Sequence, residues 1–246
     1  MKKRVAIIII IASILFTPVQ ILAGSPGNSV SVVSSDSNGI VLEMRTPEPD
    51  VTEILEGEIL YHKIAIVGFG STLVAGTPGL PMKGVLVGIP PASNPGIDAV
   101  ESDYEEIEGY NIYPVPKPYL IDEEGEERRM DFQFTKDNTV YDMDSFIPSE
   151  IAEVGIVGLM RRQSVVQLKF YPIQFNPVSG VLRIHSRIRV KVNFNGSSVA
   201  GATAATGMVS SHEQSSKKRS MKGIGGAYER LLEGAIINYD KIEAVE

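Results

Sequence analysis

The chain has 246 residues, 43% hydrophobic and 22% charged, with a formal net charge of −7. That is a globular composition, long enough for one large or two small domains around an apolar core. It holds no cysteine, which excludes disulfides, thiol nucleophiles and thiolate metal sites together, and its acidity is the opposite of a nucleic-acid binder's basic footprint.

The N-terminus reads "MKKRVAIIIIIASILFTPVQILAGS". A basic head (Lys2, Lys3, Arg4) precedes an apolar run from Val5 to Phe16, then Pro18 and the small residue Ala23. This is the layout of a secretory signal peptide cut after Ala23. The run is short of the roughly 20 residues that span a bilayer, and no cysteine follows it for a lipid anchor. Residues 1–23 are therefore expected to leave on export to the periplasm or the outside, with no membrane attachment afterwards. Losing three cations and no anions moves the net charge from −7 to −10.

Short strands are expected at 29–33 ("SVSVV") and 39–44 ("GIVLEM"), and a stronger one over 58–70 ("EILYHKIAIVGFG"), rich in β-branched and aromatic residues. In "TPGLPMKGVLVGIPP", Pro78 and Pro81 frame a tight entry, and a buried strand over 85–89 stops at Pro90 and Pro91. The middle, 98–149, is acidic and turn-rich. "ESDYEEIEGY" and "IDEEGEERRMDF" read as solvated faces or loops, "YNIYPVP" and "FQF" as strands between them. Pro114, Pro116 and Pro118 disfavour helix throughout.

From "EVGIVGLMRRQSVVQLKFYPIQF" to Phe194 the sequence is of β type. Val166, Leu168 and Phe170 alternate with Gln167, Lys169 and Tyr171, the period of a half-buried strand. "NPVSG" supplies a turn, and the return strand sets Leu182, Ile184, Ile188, Val190, Val192 and Phe194 on one face. Arg183, His185, Arg187, Arg189, Lys191 and Asn193 fall on the other, wet face, open to solvent or to a docking partner. Its length calls for a bend or bulge near Ser186. One-sided alternation of this kind belongs to antiparallel sheets. Beyond it, 197–226 is a Gly/Ser/Ala/Thr linker. In "AYERLLEGAIINYD", Tyr228, Leu231, Leu232, Ala235 and Ile236 define a short amphipathic helix that needs a partner surface.

No catalytic constellation emerges. His62, His185 and His212 lack metal-ligand spacing, "GFGSTL" has Leu73 where a dinucleotide loop needs glycine, and Asp142 with Asp144 are too few carboxylates for calcium. No Gly-x-Ser-x-Gly elbow occurs. Arg128 and Arg129 stand apart: exposed arginines after an acidic run could plug a peptidase with an acidic specificity pocket, or simply balance Glu126 and Glu127. "SSKKRS" (Lys217, Lys218, Arg219) is the better cleavage candidate, being basic and outside any regular element.

Three segments, "GTPGLPMKGVLVGIPP", "RRQSVVQLKFYPIQFNPVSGVLRIHSRIRVKVNFNG" and "AYERLLEGAIINYD", in this order and at these separations, resemble the N-terminal propeptide of gingipain-type secreted cysteine peptidases. The similarity covers about 51–240. It implies an all-β, antiparallel β-sandwich of jelly-roll character with a short C-terminal helix, free of cofactors. It also implies a partner, a gingipain-like cysteine peptidase catalytic domain that the propeptide keeps latent and helps to fold. The expected division is signal peptide 1–23, β-sandwich prodomain 24–196, linker 197–226, and terminal helix 227–246 leading to a catalytic domain absent from this chain. The resemblance puts the late maturation cut after "NYD", at Lys241; the family's inhibitory arginine has no matching motif in this sequence and is placed by position alone at Arg128 or Arg129. The alternative is a non-enzymatic secreted or surface β-sandwich binding module.

Overall fold

The computed structural model describes residues 29–121, 129–160, 163–195 and 225–242. In chain order its first strands are β1 (Val30–Ser35), β2 (Gly39–Arg45), β3 (Asp50–Glu56), β4 (Ile59–Ala65), β5 (Gly70–Ser71), β6 (Pro81–Gly88) and β7 (Gly96–Ile107). Then come β8 (Lys117–Ile121), β9 (Arg129–Gln133), the one-turn helix α1 (Asn138–Tyr141), β10 (Ala152–Met160), β11 (Gln163–Phe170), β12 (Ile173–Asn176) and β13 (Val181–Asn193). Helices α2 (Gly225–Ala235) and α3 (Tyr239–Ile242) follow.

One sheet runs β1-β2-β13-β12, with β7 along the other edge of β13; the second runs β10-β11-β6-β5. Every ladder between named strands is antiparallel. The sheets face each other across one core. Ile40, Leu42, Met44, Ile188, Val190 and Val192 come from the first, and Val87, Val166, Leu168 and Phe170 from the second. This is the antiparallel β-sandwich the sequence implies. A second cluster, with Ile64, Leu80, Ile112, Ile173, Phe175 and Leu182, joins the β3–β4 ribbon to the β12 end.

The return strand forms as expected, and one of its two irregularities against β7 falls on Ser186: pairing slips between His185 and Arg187, and again between Lys191 and Val192, the first being the signature of a bulge. The turn before it is built from its own sequence. Asn176 Oδ1 accepts from the backbone N–H of Val178 (3.1 Å) and Ser179 (3.3 Å). Gly180 takes φ +67°, where a Cβ would sit 3.0 Å from the Tyr110 carbonyl oxygen.

Several expectations are corrected. The arm before the turn is not one strand: β11 belongs to the second sheet, and the chain crosses at Tyr171 and Pro172 to restart as β12 beside β13. Proline has no N–H to offer a ladder, so the crossing sits where pairing is weakest anyway. "ESDYEEIE" is a solvated face, as read, but of a strand and not a loop: it makes up most of β7, because β13 places cations opposite its carboxylates; cross-strand partners override a poor intrinsic strand preference. "YNIYPVP" forms only isolated bridges at Ile112 and Pro114, while the strand lies one step later, in β8. The 58–70 strand stops at Ala65 and resumes only as the two-residue β5. Helix does occur in the middle, as α1, where Asp137 Oδ1 caps the Thr139 N–H at 2.9 Å. His185 is buried, not wet. In the terminal helix Leu232 and Ile236 are buried, whereas Leu231 and Ala235 are exposed; the helix ends at Ala235, so Ile236 turns into a bridge with Leu86 instead of extending the stripe.

Candidate functional site

The basic face of β13 is not free for docking. Arg183 reaches Glu106 at 2.7 Å, Arg187 reaches Asp103 at 2.6 Å, and Lys191 lies 3.4 Å from Asp98, all on β7. From β2, Glu43 takes Arg189 at 2.7 Å and Arg45 at 2.9 Å, with Arg187 at 3.8 Å. Hydrogen bonds from Arg189, and then Arg45, hold the Glu43 carboxyl below its ordinary range, and Arg187 does the same for Asp103. The lattice ties three strands together and leaves little unmatched charge for a partner.

Under the bulge lies His185, 2% exposed. Its Nε2 is 3.0 Å from Gln174 Oε1. The Gln174 amide nitrogen already donates to the Pro148 carbonyl at 2.7 Å, so Oε1 can only accept and His185 Nε2 must carry the proton. Nδ1 is buried without a hydrogen-bond partner among the described residues. Burial, reinforced by the Arg183 charge, pushes the imidazole down to about 4.

The surface that stands out is the β8–β9 ribbon. In its register Pro118 faces Phe132 and Leu120 faces Met130, so one side of the ribbon is wholly apolar. Leu120, Met130 and Phe132 are 60–66% exposed. The opposite side carries Lys117, Tyr119, Arg129, Asp131 and Gln133, with the Tyr119 hydroxyl 3.3 Å from Asp131. A two-stranded ribbon is marginal alone in water, and this one is held from its base. Phe134 packs on Tyr61 (5.7 Å between centroids) and Tyr113 (5.5 Å), which themselves meet edge to face. The "GTPGLP" segment clamps both legs. Gly79 N–H donates to the Tyr113 carbonyl, Gly76 N–H to Val115, and Val115 N–H to Thr77; on the exit leg Asp137 N–H donates to Gly76. Tyr113 N–H also donates to the His62 carbonyl of β4.

Arg129 is exposed and opens β9, opposite Ile121 at the ribbon's outer end; it is a strand residue, not the loop residue expected. Arg128 lies outside the described residues, as do Ala23, Lys217, Lys218 and Arg219. Lys241 is exposed in α3. Just before it, Asn238 is 2% exposed and pairs with the backbone of Gly88 twice, accepting from its N–H at 2.8 Å and donating to its carbonyl at 3.0 Å. Nothing local singles out Asn238, because a lone asparagine after a helix reads as an ordinary cap or turn. The apolar ribbon face was hidden for a similar reason: "KPYLI" and "MDFQ" alternate too briefly, and sit among too many acids, to read as a presented surface.

A family model described as Propeptide_C25 matches residues 20–216. Lys-gingipain of Porphyromonas gingivalis is 23% identical over 154 residues, covering 61% of this chain and 9% of that protein. Gingipain R1 of Porphyromonas gingivalis is 26% identical over 118 residues, covering 48% of this chain and 11% of that protein. The chain thus matches only about a tenth of the length of these curated relatives. Among solved structures, the complex of Porphyromonas gingivalis RgpB pro- and mature domains superposes with TM-score 0.65 at 19% identity, covering 86% of this chain and 98% of the matched one. A structure of gingipain K from Porphyromonas gingivalis, solved to explain its zymogenic latency, gives TM-score 0.51 at 17% identity, covering 70% and 94%. These likenesses establish the same fold, and without a cysteine the chain has no thiol of its own for peptidase chemistry. Matched by that family model over four-fifths of its length and sharing the fold of the RgpB pro-domain structure, the chain belongs to the Propeptide_C25 family, the propeptides of gingipain-type peptidases.

Proposed function

We propose that this chain is an exported latency inhibitor and folding helper of a gingipain-type cysteine peptidase catalytic domain, its signal peptide removed after Ala23. The observation that carries the reading is the β8–β9 ribbon: an exposed apolar face, a basic residue at its outer end, and a base fixed by the Tyr61–Tyr113–Phe134 cluster and the "GTPGLP" clamp. Such a projection suits a cleft. Leu120, Met130 and Phe132 supply buried contact area, and Arg129, with Arg128 beside it in sequence, offers a cation to an acidic specificity pocket. Pre-organisation matters here, because a ribbon already held in place loses little entropy on docking.

Tethering makes a modest interface sufficient. Two domains joined by a short linker meet at effective concentrations on the order of millimolar, and cutting at Lys241 would exchange that for free dilution. The test is direct: the chain from residue 24 onward is added to a mature gingipain-like peptidase and cleavage of a basic-residue substrate is followed. Inhibition at about micromolar concentration, weakened by Arg129→Ala and by Phe132→Asp, is expected for a docked inhibitor with buried anchors. Full activity at saturating chain ends the proposal.

A further inference from the structure

The C-terminal segment is held to the sandwich the way a bound peptide is held. Ile236 bridges Leu86, and the Ile237 N–H donates to the Leu86 carbonyl at 2.9 Å. Asn238 then exchanges two hydrogen bonds with Gly88 through its side chain, copying what the backbone of a neighbouring strand would do. Leu232 and Ile236 close over Val165 of β11, with Met160 and Tyr239 at the rim. The contacts finish the edge of β6 over Leu86–Gly88, where β5 does not reach, since β5 pairs only with Pro81 and Met82. Strand addition with alternate side chains in pockets is a known mode of peptide recognition.

We infer that residues 232–239 form a separable strand-like ligand of the β6 edge, so that a backbone cut between 197 and 224 leaves the C-terminal piece bound to the sandwich. The inference rests on the propeptide reading only for its consequence. A cut at Lys217–Arg219 would then be silent, leaving whatever is joined beyond the segment still tethered, whereas a cut at Lys241, after the clasp, releases it. The chemistry of the docking strip is specific: an apolar pair four residues apart, then an amide side chain two residues later that must both donate and accept. An acid at that position accepts from the Gly88 N–H but sets a negative charge against the Gly88 carbonyl.

The experiment inserts a recognition site for a sequence-specific protease after Gly207 in the chain and cuts it to completion. The expected result is co-elution of both pieces on gel filtration at about 10 µM, with the Gly88 and Ile237 amides as protected from exchange as before the cut; a Kd in the micromolar range is ordinary for a strand-addition peptide. Asn238→Asp should weaken retention about tenfold or more while leaving the melting temperature of the uncut chain within a few degrees. Leu232→Asp, on the apolar side, gives an independent loss of retention. Separation of the unsubstituted pieces after cutting, or retention unaffected by both substitutions, overturns the inference. Neither result bears on whether the uncut chain inhibits a peptidase, which is measured separately.

Discussion

Protonating His185 should destabilise the fold in mild acid, and the size of the effect can be worked out. Unfolded, the imidazole titrates near 6.5; folded, it titrates near 4. The native state therefore binds fewer protons than the unfolded chain between these values, and stability falls as pH falls. The contribution is complete above pH 6.5, declines below it, and is exhausted near pH 4. Over the whole window the difference amounts to about 3 kcal/mol, and between pH 7.5 and pH 5 to about 2 kcal/mol. The structural cause is specific: the added proton would sit on Nδ1, which is enclosed and faces no acceptor among the described residues, beside an already cationic Arg183. Urea denaturation at pH 7.5, 6 and 5 measures it, with His185→Gln as the reference that cannot titrate. The native chain should lose about 2 kcal/mol more than the variant over that range. Parallel pH dependences for the two proteins, or an imidazole that titrates near 6.5 in the folded state by NMR, would refute the reasoning.

Other perturbations have equally defined outcomes. Gly180→Val forces a β-branched residue to φ +67° with its Cβ at 3.0 Å from the Tyr110 carbonyl oxygen; a loss of about 1–3 kcal/mol in chemical denaturation is expected. Phe175→Ala empties a fully packed site in the second cluster and should cost about 3–5 kcal/mol, seen as an earlier urea midpoint at unchanged slope. Glu43→Gln removes the anion shared by Arg45, Arg187 and Arg189. Because that carboxyl is held low in the folded chain, its contribution is present above its unfolded value and vanishes on further acidification; the variant should melt earlier at pH 7 and show a flatter stability profile below pH 4.5.

The parts of the fold that were readable in advance are those whose side chains alternate against a single core. The return strand could be read residue by residue from Arg187 to Phe194, and even its defect was foreseeable, because Ser186 interrupts the apolar alternation. The acidic β7 could not be read, since nothing local favours a strand in "ESDYEEI". Its carboxylates become intelligible only once Arg183, Arg187 and Lys191 stand opposite, and register between distant segments is not a local property. His185 misled for a related reason: alternation counted through the bulge assigns it to the wrong face. The ribbon and the Asn238 clasp escaped because each depends on pairing with distant segments, Gly76 lying 39 positions from Val115 and Asn238 150 from Gly88.

The mount under the ribbon has one more implication. Gly76, Thr77 and Gly79 grip main-chain atoms of the two legs and read almost nothing of what lies farther out, so the aim of the projection is decided by the body while its head is left chemically uncommitted. A scaffold of that type lets recognition be rewritten in a handful of outer positions without renegotiating the architecture, much as a tool holder accepts a different bit.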